Sequence, residues 1–318
     1  MSNKSNNLGR AFEYACLIEL KNRIIIHRPV EIDEESAEAA FRAWKATSFT
    51  EHQTLITAAT AFIDTLFEAE PLILETENDK DVIKLSINKD SDAENGDVRD
   101  IVISRGIIKW DIGLSMKHNH FAIKHSRLSE KNDFGKKWYG IPCDKSYWNS
   151  IIPIFSDLKY AKEINYKWRD ITDKESSVYI PLLKAFMNEI NRAYEQDKTI
   201  PSRLISYLLG TRDFYKVVAI DNRMITELQG FNLRGELNQN GKYSNAKLII
   251  PIAKLPNEII TLRFKPNSSN TIEMFLNNGW SLSFRIHNAS TFVEPSLKFD
   301  IQFLGVPSNI ITINCSWK

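Results

Sequence analysis

The sequence predicts a mixed α/β (α+β) fold: helices first, a β-hairpin in the middle and an antiparallel β-rich region at the end. Three observations carry this expectation. The first 70 residues space their apolar positions as helices do and place carboxylates where helices begin. Residues 97–117 alternate apolar and polar side chains on either side of Arg105-Gly106, as two strands around a turn do. Beyond about Leu209, short β-rich runs recur between turn residues such as Pro266-Asn267-Ser268 and Asn277-Asn278-Gly279. A chain of 318 residues makes one large domain or two. The change of character puts the boundary at 210, with a core domain over 1–210 and a β-rich region over 211–318.

In chain order, Gly9 to Leu20 reads as the first helix. Asp33-Glu34-Glu35 opens a second that runs through Ala46, and Thr50 caps a third that ends near Glu70. Val82 to Ile87 is strand-like, and the polar stretch Asn88 to Gly96 leads into the hairpin. Further helices are expected around 118–129, 146–163, 174–196 and 201–209. The later strands are Val217–Ile220, Ala246–Ile252, Glu258–Phe264, Thr271–Leu276, Trp280–Ile286, Ser296–Phe303 and Ile310–Cys315. In one of them Trp280, Leu282, Phe284 and Ile286 share a face, opposite Ser281, Ser283, Arg285 and His287.

Composition narrows the classes. With 43 % hydrophobic and 25 % charged residues, the chain is neither disordered nor a collagen-like fibre nor a coiled coil. No apolar run approaches the roughly 18 residues of a membrane helix, and the polar MSNKSNN opening lacks a signal-peptide core. Three widely spaced cysteines, Cys16, Cys143 and Cys315, suit a reducing cytoplasm better than a disulfide framework. The net charge of +1 argues against a nucleic-acid partner only until it is divided. Residues 1–100 hold 11 basic and 20 acidic side chains, which leaves 30 basic and 20 acidic in 101–318. An excess of ten positive charges in the second part fits a polyanion.

The chemistry concentrates in the hairpin. With Arg105-Gly106 as the turn, Asp100 pairs with Asp111. One face then carries Ile101, Ile103, Ile108, Trp110, Ile112 and Leu114, and the other Asp100, Val102, Ser104, Asp111, Gly113, Ser115 and Lys117. Two carboxylates facing each other across a strand pair repel unless a cation or a proton intervenes. Hard oxygen ligands in small number suit Mg²⁺, which also binds phosphate, and Lys117 beside such an ion can hold an attacking water. An ordinary surface hairpin, its acids screened by Lys109 and Lys117, is the alternative. His118, His120 and His125 do not form the HExxH spacing of a zinc site.

The order Asp100, hairpin, Ser115-Met-Lys117 resembles the PD-(D/E)xK nuclease core, with Ser115 where that core carries its second acid. The resemblance implies that Asp111, or Glu13 of Gly9-Arg-Ala-Phe-Glu13, supplies the missing ligand, so that Asp100, Asp111 and Glu13 form the metal set. Trp110 to Ser129, together with the Asn6 to Glu13 opening, resembles the HaeIII family of type II restriction endonucleases. That family implies Mg²⁺-dependent cleavage of double-stranded DNA at the palindrome GGCC, leaving 5′-phosphate ends. It also implies a bacterial cytoplasmic setting, a cognate cytosine methyltransferase and no membrane partner; a palindromic site invites a homodimer.

As a helix, residues 120–128 would bring His120, Lys124 and Arg127 together at i, i+4 and i+7, a face suited to phosphates. Candidates for base contacts are Arg212, Lys216, Arg223, Arg234 and the segment Asn238 to Asn245, which contains Lys242. Trp138, Trp148 and Trp168 read as packing residues. A structure-specific or repair nuclease on the same core, and a non-enzymatic DNA-binding protein, are the competing readings.

Overall fold

The computed structural model describes residues 2–89 and 96–318, so 90–95 of the polar stretch before the hairpin lie outside the described residues. In chain order the elements are α1 (Ser2–Ile24), β1 (Val30–Ile32), α2 (Glu34–Lys45), α3 (Phe49–Ala69), β2 (Ile83–Ile87), β3 (Ile101–Arg105) and β4 (Trp110–His118). There follow β5 (Arg127–Leu128), α4 (Phe134–Tyr139), α5 (Lys145–Glu163), α6 (Ile180–Gln196), α7 (Ile200–Leu209), β6 (Phe214–Ile220) and β7 (Ile225–Phe231). The chain closes with β8 (Ile259–Phe264), β9 (Thr271–Leu276), β10 (Ser281–His287), β11 (Leu297–Gly305) and β12 (Thr312–Ser316).

Two compact units divide the chain, and both are discontinuous. One comprises residues 1–121, 210–253 and 308–318; the other comprises 122–209 and 254–307. The single boundary expected at 210 is therefore one of four crossings. The first unit is a seven-stranded mixed sheet, ordered β1-β2-β3-β4-β6-β7-β12, with α1, α2 and α3 on one face. Capping starts the helices: the Asp33 side chain accepts from Ser36 N, and Ser48, two residues before the expected Thr50, forms a capping box with Glu51. The helical face of the sheet is built from alternate residues, Ile101, Ile103, Ile112, Leu114, Met116, Val217 and Ala219, packed on Phe12, Phe62 and Leu66.

The second unit is an antiparallel sheet, β5-β11-β10-β9-β8, with α4 to α7. Its core is aromatic: Trp138 stacks on Tyr207, and Phe134, Phe186, Phe284 and Phe299 close around it. The alternation expected in residues 280–286 is realised, with Leu282, Phe284 and Ile286 fully buried. The packing role expected of Trp138 also holds.

Three expectations need correction. Residues 119–126 are not a helix: Lys124 bridges to Ile301, Ile123 N donates to Ile301 O, and Arg127 and Leu128 pair with β11. The period-two burial of Ala122, Ser126 and Leu128 is the strand signal that the helical reading of the basic residues missed. Residues 246–252 form no strand; they run as an irregular segment in which Asn238 takes up Leu248 O and Ile250 N. Finally, β6, β7 and β12 do not belong with the other C-terminal strands. They extend the sheet of the hairpin itself, β6 lying parallel to β4.

Candidate active site

The hairpin forms as expected, but its turn is longer. Residues 106–109 make a four-residue turn in which Lys109 adopts φ 51° and donates its N–H to Gly106 O. Arg105 therefore belongs to the strand, buried, with its guanidinium on the carboxylate of Asp81, which also holds Arg28. The resulting register pairs Arg105 with Trp110, Ser104 with Asp111 and Ile101 with Leu114. The expected register is displaced by four residues along β4. An even displacement leaves every side chain on its face but changes which residues oppose each other.

The partner of Asp100 is consequently Ser115, not Asp111. Asp100 N donates to Leu114 O, and Asp100 Oδ2 accepts from Met116 N at 2.5 Å, Lys117 Nζ at 3.1 Å and Ser115 Oγ at 3.4 Å. Lys117 Nζ also donates to Met116 O at 2.9 Å. Among the described residues no donor reaches Asp100 Oδ1, and the side chain keeps 29 % of its exposure. Asp100, Ser115 and Lys117 thus converge, and one carboxylate oxygen faces outward.

Asp111 lies on the same face, four residues from Ser115, about 13 Å along an extended strand. It is committed elsewhere, to Arg99 Nη1 and to Arg212 Nη2 at 2.9 Å. Burial alone would raise its pKa; the hydrogen bonds and charges of Arg99 and then Arg212 hold it below the usual carboxylate value. Arg99, itself buried and paired with Asp97 at 2.7 Å, reaches Asp111 by lying across Gly113. A Cβ at Gly113 would fall 2.0 Å from Arg99 Cδ, so only glycine admits this crossing. One ion cannot bridge Asp100 and Asp111 at that separation.

Glu13 sits on α1, which packs on β4; the ring of Phe12 lies 6.0 Å from that of His118, the residue after Lys117, and Glu13 is the next residue along the helix. His118 Nε2 meets Asp221 Oδ1 at 2.9 Å, while Asn119, at φ 51°, donates to Asp221 Oδ2 and accepts from Asp221 N. These bonds tie the end of β4 to the turn after β6 and steady Lys117. His118 thus serves this brace.

Lys216 has a different place from the one expected. It is the single charged residue of the apolar run Phe-Tyr-Lys-Val-Val-Ala-Ile, its register partner in β4 is Ser115, and it is only 7 % exposed. Its Nζ donates to Phe121 O at 2.9 Å. Burial, and next the charge of Lys117, push its pKa down to about 8. A lone lysine in a buried strand was the signal available in the sequence.

The expected DNA contacts scatter. Lys124 is half-buried, its Nζ 3.9 Å over the Tyr207 ring and 3.0 Å from Tyr207 O; burial and then Lys137 push its pKa down to about 8. Arg127 pairs with Glu294 at 3.3 Å and donates to Ser296. The joint face of His120, Lys124 and Arg127 disappears with the helix that would have made it. Arg212 bridges Asp111 and Glu236; Arg234 donates to Asp213 and to Gly210 O. Lys242 is exposed, on a loop whose N–H groups at 242, 243 and 244 all donate to the Glu75 carboxylate.

A hard-oxygen set is therefore available at Asp100, Ser115 and the adjacent backbone, with a lysine in hydrogen-bond contact. It fits a divalent cation that keeps part of its water shell. No solved structure matches this chain. A family profile described as HaeIII restriction endonuclease matches residues 9–307. The type II restriction enzyme HaeIII of Haemophilus aegyptius is 46 % identical over 320 residues, covering all of both chains. A match of this extent shows that the chain belongs to the HaeIII restriction endonuclease family.

Proposed function

We propose that this type II restriction endonuclease hydrolyses double-stranded DNA at the palindrome GGCC with Mg²⁺ as cofactor, using Asp100, Lys117 and Glu13, and that it leaves 5′-phosphate ends. The observation that carries the catalytic assignment is the Asp100 carboxylate, one oxygen held by three donors and the other open. Asp100 would hold the ion with Glu13 as the second acid; the commitment of Asp111 to two guanidiniums argues against it in that role. The bound cation would supply charge for the phosphoryl oxygens and a more acidic water. Lys117, anchored by Asp100 and by Met116 O, orients the attacking water in line with the scissile bond. Water oxygen adds to phosphorus, the P–O3′ bond breaks, the water loses its proton and the 3′ oxygen gains one.

Recognition we assign to the region 211–318, narrowed to Arg212, Arg234 and Lys242 on and beside the 232–253 segment of the catalytic unit. His120, Lys124 and Arg127 are left as backbone contacts made singly. A cognate cytosine methyltransferase, a bacterial cytoplasmic location and a homodimer on the two-fold site complete the proposal; no helix among the described residues is long and apolar enough to cross a membrane. The test is digestion of one plasmid of known sequence with and without Mg²⁺, followed by mapping of the ends. Discrete fragments ending within GGCC support the proposal. A smear, cutting confined to branched DNA, or no cutting at any metal concentration overturns it.

A further inference from the structure

We infer that Lys216 is a second catalytic ammonium, placed to bind a non-bridging oxygen of the scissile phosphate beside Lys117. The inference rests on the reading of Asp100 and Lys117 as the reaction centre. In the parallel β4–β6 pair Ser115 is the register partner of Lys216, so the stems of Lys216 and Lys117 leave the same sheet face. They stand one strand spacing and two residues apart, about 8 Å. A side chain of one charge, 7 % exposed, normally has a counter-ion. Among the described residues no carboxylate lies within ion-pair distance of Lys216, and its one hydrogen bond goes to a backbone carbonyl, Phe121 O. Glu227, whose charge acts on Lys216 from a distance, is itself paired with Arg223 at 3.4 Å, so the Lys216 ammonium stays available to an arriving anion. A hydrolysis that builds charge on phosphoryl oxygens is served by a preplaced, water-poor ammonium. Base reading is not open to a lysine this buried.

The experiment compares Lys216→Gln and Lys216→Met with the wild-type enzyme in single-turnover cleavage at saturating DNA, with DNA affinity measured separately without metal. Gln keeps a donor for Phe121 O and loses the charge; it therefore removes the proposed role and spares the structural one. The expected result is a fall of about 10²-fold in the cleavage rate of both folded variants, with affinity changed less than about tenfold. In Lys216→Ala, added ethylamine should raise the rate in proportion to its concentration. A Lys216→Gln enzyme that cuts bound DNA within about twofold of the wild-type rate overturns the inference. Lys117→Ala run alongside separates the two readings: if that variant also cuts normally, the reaction centre itself is misassigned.

Discussion

Asp100 and Asp111 are two acids on one face of one hairpin, and they differ in what surrounds them. Asp100 stands just before β3, where the neighbouring β4 gives it a backbone N–H, a hydroxyl and an ammonium on a single oxygen, and no donor among the described residues reaches the other. Asp111 is enclosed by Arg99 and Arg212, which neutralise it in the free protein. A carboxylate so compensated gains little from a cation; one half-compensated still has a lone-pair surface to offer. Face and charge alone did not distinguish them. Neighbours did.

The largest expected effect falls at the open end. Lys117→Ala and Asp100→Asn should each lower cleavage by about 10³-fold or more while specific binding survives. Full cleavage by either in Mg²⁺ would collapse the contrast.

A third carboxylate sharpens it. Glu70 is fully buried, its Oε1 accepting from Tyr215 Oη at 2.7 Å and Asn238 N at 2.5 Å. Burial raises its pKa to about 7, although those two donors pull the other way. A pKa raised in the folded state means that the associated stability is present below the ordinary carboxylate pKa and lost as pH rises through about 7. Urea unfolding of Glu70→Gln against wild type should therefore favour the variant by about 3 kcal/mol at pH 8, with the advantage shrinking toward pH 5. A difference independent of pH would contradict a raised pKa.

The closed end predicts a loss of stability instead of activity. Asp111→Asn should destabilise by about 1–3 kcal/mol, because Arg99 keeps only Asp97. The folded enzyme should cut at a rate near wild type, and a dead but fully folded variant would return Asp111 to the metal. Its folded pKa is depressed, so its contribution is present above the ordinary value and lost as pH falls below about 4. Gly113→Ala should act on the same contact by displacing Arg99.

The smallest effect is expected far from both acids. Lys242→Ala, on an exposed loop, should weaken binding several-fold and lower the salt slope of log K by about 1 without altering the preferred site. An unchanged slope would remove Lys242 from the DNA contacts.

Much of this is legible in the amino-acid sequence alone. The helices of the first unit, the hairpin and its two faces follow from local signals: caps, acidic first turns and alternation. The Ser115-Met-Lys117 triplet with Asp100 ahead of it was visible too. The two faces do not depend on the turn, because parity follows from alternation alone, whereas the opposition of Asp100 and Asp111 depends on turn length. Basic residues at helical spacing over 120–127 misled because charge spacing is compatible with either element; the burial of Ala122, Ser126 and Leu128 decides.

What the amino-acid sequence determined by itself is most of the helices, the hairpin and the polar face on which the proposed reactive residues stand. Each of these rests on neighbours within a few positions. Only the tertiary structure decided that Ser115 opposes Asp100, that Asp111 belongs to Arg99 and Arg212, and that β6 brings Lys216 alongside Ser115 from about a hundred residues away. Those contacts depend on register and on the pairing of distant strands, and no local periodicity encodes either.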